Sequence, residues 1–384
     1  MKISVFTHWW SYENYGQMLQ AYALQTILER QGHTVQQVRY CGRRQGGELL
    51  LVRLNPLHLV RAIKNRYATK PYDSHVEERA FASFKRQHLH LSDKEYFNLR
   101  DLRLNPPSAD AYIVGSDQVW NEIDANEYAN PWFLDFGASA TKRIAYAASF
   151  GRKEIPIRLQ NYIAPLLTRM DAVSVREASG VAICRKAGCS QVKHVLDPTL
   201  LLQRDDYMAL AQSDSSPGSS TTRDHMMGYF LGANMEIPWS ELNEYQRIHQ
   251  LDLRITEISR AKEYLPATID YYYPTIPQWI SDIASCSCMV TNSFHGTAFA
   301  IIMRRPFLVF PRRDRSKGIN ERIFSLLETL GLHNRIYSSQ KGNFAQQMDA
   351  TINWKEVENS LQTQRENSIE FLTSAGLFHN TSLT

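Results

Sequence analysis

Short apolar or β-branched runs alternate with longer stretches of helical spacing along most of this chain, which restricts it to βαβ units and a mostly parallel sheet. In the first half the pattern predicts strands at Ile3 to Phe6, Val35 to Val38, Ala111 to Val114, Arg143 to Tyr146, Ala172 to Val175 and Val192 to Val195. Helices are predicted over Gln17 to Glu29, Ser74 to Gln87, Ile157 to Arg169 and Ala178 to Lys186. A doubly wound layout follows. The stretch Ser213 to Ser220, rich in Ser, Pro and Gly, reads as a surface loop near a domain boundary. Beyond it a second series begins, with strands at Met226 to Leu231, Leu253 to Ile258, Met289 to Thr291 and Phe307 to Phe310. Its helices fall at Trp239 to Ile248, Ile276 to Ala284, Thr297 to Met303 and Asn320 to Leu330. The expected class is α/β, with domains at 1–212 and 221–350 facing each other across a cleft. The helical segment 351–384 is expected to pack across them.

A length of 384 residues suits two domains, and 43% hydrophobic with 21% charged residues is ordinary for a water-soluble protein. The sequence contains no run of eighteen apolar residues, and Met1 to Phe6 reaches His8 before a signal-like core could form, so a cytoplasmic location is expected. The five cysteines, Cys41, Cys184, Cys189, Cys286 and Cys288, are scattered without a CxxC pair and suggest neither a disulfide framework nor a zinc knuckle. No carboxylate and histidine spacing demands a metal. Charge is uneven. Between Arg39 and Lys70 eight basic residues meet one acid, Glu48, giving +7 in a chain of net +4 and leaving about −3 for the rest. Leucines and valines lie between those charges, so the segment suits an anionic membrane surface or a lipid diphosphate, or forms a solvated loop and helix.

Polar clusters at the strand ends are the candidate sites, because open α/β sheets place ligands there. Thr291-Asn292-Ser293-Phe294-His295-Gly296-Thr297 joins a strand to a helix. His295 can trade a proton near neutral pH, Gly296 lets a ligand approach, and Ser293 and Thr297 can cap the helix; a capped helix with a hydrogen-bonded histidine is the alternative. The first turn, His8 to Gly16, offers Trp9 and Trp10 as a floor for a sugar, one of them expected in the core and one at the cleft. In Gly115-Ser116-Asp117-Gln118-Val119-Trp120, Asp117 is either a base for a hydroxyl or an N-cap for the following turn. Arg176, at a strand end, can grip phosphate or carboxylate or form a salt bridge. Asp197, before Pro198, reads as a turn former. The cluster Arg312, Arg313, Arg315 and Lys317 could close over a phosphorylated donor or form an exposed loop.

In order and spacing these segments resemble the polysaccharide pyruvyl transferase family. The resemblance runs through Asn14-Tyr15-Gly16 and Leu19 to Gln25, Val114 to Asn121, Tyr146 to Gly151, Val175-Arg176-Glu177, Leu196-Asp197-Pro198-Thr199 and Asn292 to Thr297. It implies two Rossmann-like domains in a GT-B-like arrangement, acceptor side first and donor side second. It also implies transfer of pyruvate from phosphoenolpyruvate onto a saccharide of a bacterial surface-polysaccharide precursor, such as capsule or exopolysaccharide, as a cyclic ketal. His295 then matches the acid at the phosphoenolpyruvate site, with Asp117 and His8 as candidate hydroxyl bases. Arg176 matches the anion-binding arginine, joined at the donor by Ser293, Gly296, Thr297, Arg312, Arg313, Arg315 and Lys317. The acceptor would meet Trp9, Trp10, Asn14, Tyr15, Gly16, Gln118 and Trp120.

Many members carry arginine two positions before the histidine, where this chain has Ser293, so with an unchanged donor Arg312, Arg313, Arg315 or Lys317 would have to replace one phosphate-binding cation. The chain is least typical of the family in the insertion around Gly46 to Lys70 and in the last forty or so residues. The expected partners are phosphoenolpyruvate and a lipid-linked oligosaccharide or polysaccharide precursor, with peripheral contact at the inner membrane face, and no nucleic acid, metal or cofactor. A glycosyltransferase using a nucleotide sugar, and a non-catalytic saccharide-binding protein, are the alternatives on the same scaffold.

Overall fold

The computed structural model describes residues 1–41, 75–121, 123, 127–212, 224–232, 236–256, 271–312, 318 and 320–378. Most of the basic segment Arg39 to Lys70, the loop Ser213 to Ser220, and Arg313, Arg315 and Lys317 lie outside these residues.

The first sheet has seven parallel strands: β1 (Lys2–Phe6), β2 (Thr34–Tyr40), β3 (Leu91–Tyr96), β4 (Ala111–Val114), β5 (Lys142–Ala148), β6 (Ala172–Val175) and β7 (Lys193–His194), in the order β3-β2-β1-β4-β5-β6-β7. The second has five: β8 (His225–Tyr229), β9 (Asp252–Thr256), β10 (Tyr271–Tyr272), β11 (Cys288–Thr291) and β12 (Phe307–Val309), in the order β10-β9-β8-β11-β12. Every residue of the central strands β4 and β11 is buried, as expected where helices cover both faces of a parallel sheet. The helices are α1 (Tyr15–Arg30), α2 (Val76–Arg79), α3 (Phe81–His88), α4 (Leu99–Leu104), α5 (Ile157–Thr168), α6 (Ala178–Lys186) and α7 (Arg204–Gln212) in the first half. The second half adds α8 (Trp239–Ile248), α9 (Ile276–Ser285), α10 (Phe294–Ile302), α11 (Glu321–Thr329), α12 (Phe344–Asp349) and α13 (Trp354–Ser374).

The strand order reverses between β1 and β4 in one sheet and between β8 and β11 in the other, so each sheet opens a crevice beyond the carboxyl ends of those pairs. The helix starts there are fixed locally. The Asn14 side chain accepts from the Gln17 N–H at the head of α1, and Ser293 caps α10. All nine residues of α10 are buried, which suits an apolar helix held between layers.

One continuous apolar cluster joins the halves. Tyr15 of α1 stacks on Trp279 of α9 with ring centroids 5.1 Å apart, and its hydroxyl donates to the Pro274 carbonyl at 2.6 Å. α13 touches both halves as well. Arg365 donates to the Leu200 carbonyl and the Ser368 hydroxyl accepts from the Leu196 N–H, while Glu358 pairs with Arg304 behind the second sheet.

The helix predicted as one piece over Ser74 to Gln87 is broken. Ala80 takes a left-handed conformation, φ 50°, immediately after Arg79, whose buried guanidinium donates to the Tyr15 hydroxyl. Among the described residues no helix is long and apolar enough to cross a membrane.

Candidate active site

The two crevices face each other, and a pocket of about 100 Å³ lies between them. His8, Asn14 and Gln17 reach it from the β1–α1 turn, and Asp117 and Gln118 from the end of β4. Leu231 follows β8, Asn292 to His295 follow β11, and Arg312 and Arg322 complete the wall. Asn292 ties the two strand ends of the second sheet, accepting from the Leu231 N–H at 2.7 Å and donating to its carbonyl at 3.0 Å. A larger cavity of about 400 Å³ opens at the amino edge of the second sheet, away from these strand ends.

A chain of buried charges underlies the pocket. His8 Nδ1 lies 3.0 Å from Asp117 Oδ2, and Asp117 Oδ1 lies 3.8 Å from the Arg176 guanidinium. Arg176 pairs with Asp197 at 2.5 Å, and Ser116 donates to the same carboxylate at 2.5 Å. The other Asp197 oxygen accepts from the Thr199 N–H and hydroxyl. His295 Nε2 stands 3.7 Å from Asp197, too far for a hydrogen bond. Glu177, fully buried, accepts from the N–H groups of Phe150 and Gly151 and so fixes the end of β5.

Burial alone would raise both aspartates. For Asp117 the His8 hydrogen bond, followed by the charges of His8, Arg176 and His295, outweighs burial; for Asp197 the counterweight is Arg176, then His295 and Ser116. Both carboxyls are held well below the usual range and stay ionised. Burial, and next the neighbouring Arg176 cation, push the Arg322 guanidinium down to about 10. Arg176 and Arg322 share the Phe294 ring, their guanidinium carbons 4.4 and 5.9 Å from its centroid.

Two glycines make room for this arrangement. A Cβ on Gly16 would sit 2.1 Å from His295 Nδ1, so α1 approaches the imidazole with backbone alone. Gly232 (φ +70°) packs its Cα against the Arg312 guanidinium, which a Cβ would meet at 2.6 Å.

Several sequence expectations need correction. Trp120 is fully buried, stacked on Phe133 with its Nε1 donating to the Trp132 carbonyl, and Tyr15 is equally buried in the contact with Trp279; neither can meet an acceptor. Gly16 serves His295 instead of a saccharide. Neither Trp9 nor Trp10 is in the core: both are half-buried, with Trp10 beside His8 at 4.9 Å and Trp9 facing Lys85.

The Asp117 carboxylate turns to His8 and Arg176 instead of capping the turn that follows it. The residue takes a left-handed backbone, φ 76°. The Thr297 hydroxyl donates to the Ser293 carbonyl, and Gly296 spends its N–H on the Ser293 hydroxyl, so both complete the helix start and neither faces a donor. Of the two expectations for Arg176, an anion clamp or a salt bridge, the structure shows the salt bridge: its side chain is only 1% exposed and pairs with Asp197 beneath the pocket. Asp197 does form the predicted turn, but it is also the hub of the charge chain.

A family model for polysaccharide pyruvyl transferase matches residues 14–314. The chain belongs to the polysaccharide pyruvyl transferase family. It is an enzyme that transfers pyruvate to polysaccharide, and the two facing crevices are where this family member brings its charged side chains together. Among solved structures, the UDP-GlcNAc 2-epimerase of Methanocaldococcus jannaschii, in complex with UDP-GlcNAc and UDP, aligns with a TM-score of 0.53 at 12% identity, covering 97% of this chain and 99% of that one. The UDP-N-acetylglucosamine 2-epimerase of Rickettsia bellii aligns with a TM-score of 0.51 at 11% identity, covering 97% and 96%. These likenesses establish the GT-B-like fold. No curated protein sequence matches the chain.

Asp197, Arg322, Gln17 and Asn292 were not among the residues expected at the site. Asp197 and Asn292 carried a usable signal, since both sit just beyond a strand predicted to end at the crevice. Arg322 carried none, because it arrives from the flank of a helix well removed in sequence from His295.

Proposed function

We propose that this pyruvyl transferase takes pyruvate from phosphoenolpyruvate and closes it as a cyclic ketal on two hydroxyls of a saccharide. The observation that carries this reading is a pair of imidazoles, His8 and His295, brought by the two facing sheets to one pocket that also holds Arg312 and Arg322. Adding to an enol phosphate needs an acid for its carbon, a base for the incoming hydroxyl, and cations for its phosphate and carboxylate.

In this scheme protonated His295 delivers its proton to the methylene carbon, converting CH2 to CH3, while Asp197 supports its charge. The first hydroxyl adds to the neighbouring carbon and loses its proton to His8. Asp117, too acidic to serve as the base, holds His8 Nδ1 and leaves Nε2 for that proton. The carbon–oxygen bond to phosphate then breaks and its electron pair leaves with phosphate. The second hydroxyl bonds to the same carbon, its proton goes to the departing phosphate, and solvent returns the proton from His8 to His295.

Trp10, beside His8, provides a face for the sugar, with Asn14 and Gln118 to read hydroxyls. The acceptor is proposed to be a lipid-linked precursor of capsule or exopolysaccharide, met at the cytoplasmic membrane face by the basic segment from Arg39 to Lys70. Thermal stabilisation tests the donor. Phosphoenolpyruvate raises the melting temperature and a nucleotide-sugar panel does not; a shift with a nucleotide sugar alone would move the assignment to glycosyl transfer.

A further inference from the structure

We infer that Arg322 anchors the phosphate subsite of this pocket, supplying from α11 the cation that position 293 lacks. The inference rests on the phosphoenolpyruvate reading for the identity of the donor, but the subsite itself stands on geometry. Arg322 lines the pocket, and among the described residues it forms no hydrogen bond and no ion pair; its buried Nε has no partner. The acid next to it in sequence, Glu321, is taken by Lys153 at 3.2 Å. A guanidinium beside a second cation, with no hydrogen bond or ion pair of its own and only the more distant Asp117, Glu177 and Asp197 carboxylates to offset its charge, gains when an anion arrives. Arg176 shares an unpartnered buried Nε but differs in being paired with Asp197 at 2.5 Å and absent from the pocket wall.

The surrounding residues direct Arg322 inward. Asn320, just before α11, accepts from the Arg312 N–H at 3.1 Å and donates to its carbonyl at 2.9 Å, so the turn carrying Arg322 is tied to the strand end carrying Arg312. Both arginines therefore stand on one wall. Ser293 is short and spends its hydroxyl on the α10 cap, and Phe294 beside it supports the Arg322 guanidinium. Two arginines on one wall match a phosphate dianion better than a carboxylate with a single charge, and the planar fork of Arg322 suits two phosphate oxygens at once.

The experiment measures binding of inorganic phosphate, pyruvate and phosphoenolpyruvate by calorimetry on the full chain, on Arg322→Met and on Arg322→Lys, with melting curves to establish folding. Phosphate affinity should fall about tenfold or more in Arg322→Met and recover in part in Arg322→Lys, while pyruvate affinity stays within about twofold. Unchanged phosphate affinity in a folded Arg322→Met chain overturns the inference, as does a wild-type chain that binds no phosphate. Loss of pyruvate binding with phosphate intact also overturns it, placing Arg322 at the carboxylate instead. Loss of phosphate binding in Arg322→Met, with a wild-type chain that ignores phosphoenolpyruvate, upholds the subsite and overturns the donor reading.

Discussion

Gly16→Ala should separate catalysis from stability. The added methyl would lie 2.1 Å from His295 Nδ1, 2.3 Å from Cγ and 2.7 Å from Cβ, whereas ordinary contact begins near 3.4 Å, so the imidazole has to retreat by more than an ångström. Two opposing effects act on stability. Alanine within a helix is favoured over glycine by about 0.5–1 kcal/mol, and overpacking costs about 1–3 kcal/mol, leaving a net loss of roughly 0–2.5 kcal/mol. Activity should suffer more, because a displacement of about 1 Å at a reacting group costs on the order of 100-fold. Urea denaturation gives the first quantity, and the rate of phosphate release from phosphoenolpyruvate with a saccharide acceptor gives the second. A folded Gly16→Ala enzyme within about twofold of the wild-type rate would refute the placement of His295 at the reacting carbon.

Three further outcomes follow from the geometry. Asp197→Asn removes the nearer of Arg176's two buried carboxylate partners, leaving Asp117 at 3.8 Å, and should cost up to about 3–5 kcal/mol in urea denaturation at pH 7. Because the Asp197 carboxyl is depressed in the folded state, its contribution is fully present above the unfolded value near 3.9 and is lost as pH falls below it, so the variant should show a flatter acid limb. Lys85 donates to the Trp10 and Ser11 carbonyls, and burial lowers it from 10.5 to about 8. Between those values the unfolded chain binds a proton that the folded chain has released, which makes stability rise with pH; denaturation of Lys85→Met at both pH values should lack that increment. Trp120→Ala should lose about 3–5 kcal/mol as a core truncation, whereas Trp10→Ala should keep its melting temperature and raise the acceptor KM.

The fold was legible because buried parallel strands read as continuous apolar runs, as β4 and β11 do, and because the strand ends at a switch point can be located from strand order. β3 was missed for the complementary reason. Its sequence, Leu-Ser-Asp-Lys-Glu-Tyr, is that of a half-exposed edge strand with too few apolar residues to register. His295, His8 and Asp117, singled out in the sequence by position and chemistry, line the same pocket. Trp120 and Tyr15 were misread because an aromatic ring beside polar loop residues looks the same in sequence whether it faces a ligand or a neighbouring ring. Arg176 was located at the right strand end, but its commitment to Asp197 depends on β6 and the turn after β7 lying side by side, which only the folded sheet reveals.

The most direct test of the account is to incubate the enzyme with phosphoenolpyruvate and a lipid-linked oligosaccharide and to determine the product by mass spectrometry, alongside His295→Ala and His8→Ala. The account predicts an acceptor heavier by pyruvate less one water, one phosphate released per ketal, and loss of both signals in each variant. An acceptor modified only when a nucleotide sugar is supplied, or a ketal formed equally well without His295, would contradict it.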